Sequence, residues 1–153
     1  MRIGEGCSII TSINNIGSEP WLVELGNNIT ITGGVVFITH DGSSRLFRKK
    51  IEIMNPEFGN RFGTIRIKDN SFIGINAILT LDIEIGPYAI VGAGSIVTDD
   101  VPPYSVYAGN PARFICTYQE YIDKFKDRML IVKSEDRISL RKELTNYFRK
   151  EER

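Results

Sequence analysis

Residues 67–101 read IKDNSFIGINAILTLDIEIGPYAIVGAGSIVTDDV. Every sixth position from the first is large and apolar: Ile67, Ile73, Leu79, Ile85, Val91 and Val97. The same step runs upstream through Leu25, Ile31 and Phe37. Between the two runs it is switched off, because Ser43, Lys49, Asn55 and Arg61 occupy the intervening steps. Glycine follows the large residue at Gly26, Gly74, Gly86 and Gly92. Four places after it stand Ile29, Val35, Ser71, Ala77, Ile83, Ala89, Ser95 and Val101, mostly small or β-branched. An amphipathic helix repeats every ~3.6 residues and a half-buried strand every second residue. A period of six fits neither. It fits a coil of short flat strands joined by tight turns, with each large residue pointing inward. One rung cannot bury its apolar side alone, so successive rungs stack into a continuous column. The strands of a β-sandwich keep no such fixed step.

Working outward, the N-terminus carries the pattern in a shifted register, Ile3-Gly4 with Cys7 and then Ile9 with Ile13. The shift implies a small excursion near residues 14–20. Residues 42–64 read as a loop inserted into the coil, and loops of this length are usually functional. From Thr117 to about Met129 the spacing predicts a helix. Tyr118, Tyr121, Ile122, Phe125 and Met129 form its apolar stripe, and Thr117 with Glu120 fits a capping box. A second helix is expected from Ser134, its cap, to about Lys150, with Leu140, Leu144, Tyr147 and Phe148 as the stripe. The expected organisation is mainly β: a coiled domain over residues 1–116 and a helical extension over 117–153.

Whole-chain properties bound the function. The chain has 153 residues, with 19 Lys plus Arg against 19 Asp plus Glu. This balance gives no electrostatic reason to expect nucleic acid or an anionic membrane surface. No apolar run reaches the ~18 residues of a membrane span, and the first residues do not read as a signal peptide. Cys7 and Cys116 lie far apart in no metal-like spacing. Reduced cysteines and a cytoplasmic location are expected.

The hexads resemble the hexapeptide-repeat acyltransferases, over roughly residues 3–116. The stretch from Ile67 to Ile115 is similar to that family's C-terminal signature. EPWLVELGNNITITGGVVFITHDG, residues 19–42, resembles the catalytic coil of its sugar and capsular-polysaccharide O-acetyltransferase branch. The resemblance implies a left-handed parallel β-helix of about four coils, acetyl-CoA as acyl donor, and a homotrimer with active sites between neighbouring subunits. The chain departs from the family at Leu81-Asp82, where Pro-Gly is usual, and at Asp99, where Lys is usual. The second change weakens the case for phosphate contacts at that turn.

His40 is the single histidine, in Thr39-His40-Asp41-Gly42, where the repeat breaks into the loop. In the family a histidine at this place takes the proton from the acceptor hydroxyl. An alcohol is a poor nucleophile until that proton leaves, and imidazole titrates near neutral pH. Asp41 is a candidate to orient the ring, as is a backbone carbonyl. The γ-type carbonic anhydrases share the fold but hold zinc with three histidines, so one histidine argues against a catalytic metal. The resemblance places the cofactor at Ala93, Gly94, Thr98 and Arg113. The small flat rung around Ala93 and Gly94 admits a thin pantetheine arm, and the Arg113 guanidinium suits the nucleotide's phosphates. For the acceptor, Trp21 offers a flat face for a sugar, and Arg45 and Arg61, with Arg48, Lys49 and Lys50, offer donors. The leading expectation is O-acetylation of a sugar or polysaccharide precursor. N-acetylation of a nucleotide-linked amino sugar and a non-catalytic trimeric scaffold are the alternatives.

Overall fold

The computed structural model describes residues 1–44 and 59–150, the side chain of Lys150 excepted. They form two compact units, Met1–Tyr121 and Ile122–Arg153. The sequence boundary between residues 116 and 117 falls just before the helix that straddles this division.

The first unit is a parallel β-helix with three sides. One sheet stacks β1 (Arg2–Ile3), β3 (Val23–Leu25), β8 (Ile65–Ile67) and β11 (Ile83–Ile85). A second stacks β2 (Ser8–Ile9), β4 (Thr30–Ile31), β9 (Phe72–Ile73), β12 (Ile90–Val91), β14 (Ser105–Gly109) and β15 (Ala112–Thr117). The third holds β5 (Val36–Phe37), β10 (Ile78–Leu79) and β13 (Ile96–Val97). Ile67 pairs with Ile85, Ile73 with Val91 and Leu79 with Val97. Each pair is three hexads apart, so one coil spends one hexad on each side. Inward positions are therefore superposed from coil to coil. The nine large hexad residues are buried, and so are all eight residues four places after them. Two of those eight are serines. Ser71 Oγ donates to the Gly86 carbonyl at 2.9 Å and Ser95 Oγ to that of Gly92 at 2.7 Å, so both hydroxyls are satisfied inside the turns.

Two interruptions leave this frame at the corner between the third sheet and the first. The first coil has no third strand. After β2 the chain runs through two short 3-10 turns, Ile13–Asn15 and Pro20–Leu22, before β3 begins. Ile13, expected inside, is 70% exposed, and Ile16 is buried instead, closing the top of the core. Ile16 is the residue that closes the 3-10 turn, and the turn interrupts the hexad step between the two isoleucines. Ile3 is also half exposed, lying on the topmost coil with no rung above it. The second interruption leaves through β6 (His40–Asp41) and returns through β7 (Arg61–Phe62), which pair antiparallel. Residues 45–58 of the expected loop lie outside the described residues, and so does the candidate Arg45.

β14 and β15 form an antiparallel hairpin on the last coil. The helix α1 (Tyr118–Phe125) begins after it in a reciprocal capping box. Thr117 N donates to Glu120 Oε2 at 2.8 Å and Glu120 N to Thr117 Oγ1 at 3.1 Å. In the second unit, α2 spans Arg137–Lys150. Its cap is Asp136, whose carboxylate accepts from the backbone N–H of Ile138 and Ser139. Ser134, expected in that role, donates its hydroxyl to Glu143.

Replacing Ile73 or Val91 with Asp puts an unpaired carboxylate into a column that is fully closed to solvent. A destabilisation of about 3 kcal/mol or more is expected from either. Denaturant melts that coincide with the parent's would contradict this core.

Candidate active site

Both interruptions emerge at one corner, on adjacent coils, and they bring Glu19 against His40. Glu19 ends the irregular segment before Pro20, and His40 opens β6. His40 Nδ1 lies 2.9 Å from Glu19 Oε2. The same carboxylate oxygen accepts from Thr39 Oγ1 at 2.7 Å, and Oε1 accepts from Ser18 Oγ at 2.8 Å. Thr39 is itself buried. These bonds hold the Glu19 carboxyl below the usual glutamate range, the Thr39 hydroxyl contributing most among them, then His40 and Ser18. Its side chain is only 15% exposed, against 39% for His40.

A carboxylate can only accept, so the neutral imidazole keeps its proton on Nδ1 and its lone pair on Nε2. The ring cannot easily turn over, because Nδ1 would lose a charge-assisted bond. The Phe62 ring, on the loop's returning strand, lies 5.8 Å from the imidazole centroid. What results is an oriented base at the edge of the coil.

Asp41 does not take the orienting part. Its carboxylate accepts from the Ser43 backbone N–H at 2.8 Å, and that bond, first among its causes, lowers its own pKa. Neighbouring residues on a strand point to opposite sides, so Asp41 turns away from the face that His40 uses. The hexad pattern did not point to Glu19, because it lies in the segment where the hexads fail. The available signal was a carboxylate in the irregular segment one coil before the lone histidine.

The expected donor-site residues lie on two corners. Ala93 and Gly94 are exposed on the turn between β12 and β13. Gly94 has φ +66°, and a Cβ built there meets nothing within 4 Å. Gly33, above it on the same corner, is equally open. Between them on that corner stand Ile75, 53% exposed, and Asn76, so the open backbone is local to each glycine. Thr98 follows β13, two coils below Ile38 in register, next to Asp99. Asp99 Oδ2 accepts from Thr98 Oγ1 at 2.8 Å and sits 3.3 Å from Arg113 Nη1. The departure noted at Asp99 thus ties up the guanidinium expected to meet phosphate. Both partners are largely exposed, so the pair is weak and open to competition.

Of the acceptor candidates, Trp21 is 69% exposed in the turn that follows Glu19, with its ring free of the core. Arg61 pairs with Asp82 at 3.5 Å. Among the described residues no group of three or more His, Cys, Asp or Glu is arranged to hold a metal ion. No described helix is long and apolar enough to cross a membrane.

Comparison with known proteins gives this geometry its context. Protein CapG of Staphylococcus aureus is 39% identical over 125 residues, which is 81% of this chain and 70% of CapG. The chain belongs to the hexapeptide-repeat acetyltransferases. It is an acyltransferase, and its coil is the left-handed parallel β-helix of that family. A dTDP-3-amino-3,6-dideoxy-alpha-D-galactopyranose 3-N-acetyltransferase from Aneurinibacillus thermoaerophilus is 45% identical over 58 residues, 36% of this chain and 30% of that one. Among solved structures, a maltose O-acetyltransferase from Clostridium difficile 630 superposes with a TM-score of 0.57 at 28% identity, covering 75% of this chain and 57% of that one. No family profile matches the chain.

The lowered pKa of Glu19 makes stability depend on pH in a defined direction. The folded state binds the proton less readily than the unfolded chain, whose ordinary value is 4.5. The stabilisation is fully present above that value and is lost as pH falls through the lower folded value. Glu19→Gln is expected to melt below the parent at about pH 6, with the gap narrowing toward about pH 3. A gap in melting temperature that stays constant across that window would show that Glu19 is not held in this way.

Proposed function

We propose that the protein is an acetyl-CoA-dependent O-acetyltransferase acting on a hydroxyl of a sugar or polysaccharide precursor, by direct transfer with His40 as general base. The observation that carries the reading is the Glu19–His40 pair, with Nδ1 engaged by a carboxylate and Nε2 left as the base. Nε2 takes the acceptor's O–H proton as the oxygen attacks the thioester carbonyl carbon. The C–S bond then breaks, and the departing sulfur takes the proton back from the imidazolium. Glu19 keeps the ring in the required tautomer and stabilises the transient positive charge.

Family membership supports acetyl-CoA as the donor. The small, exposed turn at Ala93 and Gly94 suits its pantetheine arm, and Thr98 and Arg113 suit the nucleotide end. A phosphate there competes with Asp99 for the guanidinium. Trp21 and Arg61 are the described candidates for the acceptor side, and Trp21's exposed indole favours stacking on a sugar over a structural part. A homotrimer is part of this reading, as the family resemblance implies. One open groove encloses little of a ligand, and a neighbouring copy would close it.

Acylation of an amino sugar is the second reading, favoured by the match to the dideoxy-amino-sugar N-acetyltransferase. A non-catalytic scaffold has no use for a triply hydrogen-bonded carboxylate fixing a lone histidine.

His40→Ala is expected to lower turnover by roughly 10²-fold or more with little change in acetyl-CoA binding. Single-turnover thiol release, set beside donor titration, separates the two quantities. Near-parental turnover would remove His40 from the chemistry. The product decides between oxygen and nitrogen. Mild alkali should remove the transferred acetyl group, as it does from an ester, and alkali-stable product would assign the protein to N-acetylation.

A further inference from the structure

The irregular segment of the first coil does more than close the core. It lies along the upper edge of β5, pinned at three points. Thr11 Oγ1 donates to the Val35 carbonyl at 2.7 Å, and Ile16 is buried. At Gly17, φ is +72° and a Cβ would meet Thr39 Oγ1 at 2.8 Å and the Phe37 carbonyl at 3.0 Å. A side chain at Gly17 would push the segment off the strand. The 3-10 turn that sends Ile16 inward leaves Ile13 and Asn14 outside. With Ser18, Ile38 and His40, these two line a cleft of about 520 Å³. That volume is within the range of small-molecule sites.

The character of this cleft is specific. Ile13 and Ile38 are 70% and 37% exposed. Asn14 brings an amide that both donates and accepts, and Ser18 a hydroxyl. Among the described lining residues only His40 is ionisable. Arg61 and Trp21, expected at the acceptor, are not in the described lining.

We propose that this cleft is the acceptor subsite. It takes a neutral hexopyranosyl unit bearing a methyl group, either as a 6-deoxy carbon or on an N-acetyl substituent. The proposal rests on the acetyltransferase reading above and names its substrate class. A fully hydroxylated ring would press hydroxyls against Ile13 and Ile38 without partners, which is unfavourable. A methyl group meets those two side chains, while ring hydroxyls reach Asn14 and Ser18. A phosphate or an amino-acid zwitterion finds no counter-charge among the described lining residues. The charged part of any carrier therefore lies outside the cleft.

Ligand-observed NMR titration of the full-length protein tests this, with coenzyme A present as a second probe. Three sets of methyl glycosides are compared: hexoses, their 6-deoxy counterparts, and N-acetylhexosamines. At least one methyl-bearing set is expected to bind about five-fold more tightly than the parent hexosides, the low end of what one added apolar group gives in a pocket. Which set it is identifies the source of the methyl. Ile13→Ser should erase that preference, and Asn14→Ala should weaken all sugars, with coenzyme A binding unchanged in both. Both side chains are exposed, so the variants should melt like the parent. Equal binding of all three sets, binding of none, or a preference that survives Ile13→Ser would overturn the subsite while coenzyme A binding upholds the enzyme reading. Loss of coenzyme A binding in the variants would assign the cleft to the donor. Failure of the parent to bind coenzyme A would overturn the enzyme reading and the subsite together.

Discussion

Backbone hydrogen bonds from each coil to the next hold the first unit together, and they tolerate only one geometry. A strand of two or three residues cannot persist alone. Here the strands inside each stack are paired above and below, as Ile73 is with Ile31 and Val91, and those at its ends on one side. Superposed strands require superposed side chains, so the column of Ile67, Ile85 and their like must keep one size and one spacing. The tight turns follow from the same demand. Asn28, Asn70, Tyr88 and Tyr104 lie above one another with positive φ, and Tyr88 stacks on Tyr104 with ring centroids 4.9 Å apart. Within the inner coils the long insertion leaves at a corner, because an insertion within a strand would break the ladder on both sides, and the other irregularities fall on the end coils.

That restriction explains why the candidate site forms where it does. The two long departures from the coil share a corner, so their irregular segments are neighbours in space. Glu19 and His40 belong to different coils and meet because the coils are stacked, one hydrogen-bonded layer apart. The rigid ladder fixes their backbones, and Thr39 and Ser18 fix the carboxylate between them. An oriented base needs this kind of support, since its geometry tolerates little looseness.

Charge on this protein is local rather than global. The chain is neutral overall, but the outer face of the first sheet alternates in sign. Arg2 and Arg66 both reach Glu24, and Lys68 reaches Glu84. These exposed pairs contribute little individually. They do satisfy one another, which leaves Asp99 and Arg113 as a further exposed pair beside the expected nucleotide end. An exposed pair of this kind is weak, so its guanidinium is free to exchange partners.

The sequence alone specified the inward column, a coil of short stacked strands and the position of the loop through the hexad step, and the capping box through Thr117 and Glu120, while the kind of β-helix came with the family resemblance. The column, coil, loop and cap each follow from a repeat or a contact between residues close in sequence. His40 stood out for a related reason, as the one imidazole at the point where the repeat breaks. Only the tertiary structure decided that Glu19, and not Asp41, holds His40, that Ile16 and not Ile13 enters the core, and that the cleft beside His40 is walled by Ile13, Asn14 and Ser18. Those outcomes depend on how an irregular segment settles onto the coil beneath it. No period governs such a segment, and the contacts that fix it join residues some twenty positions apart, so its course is set by packing rather than by pattern.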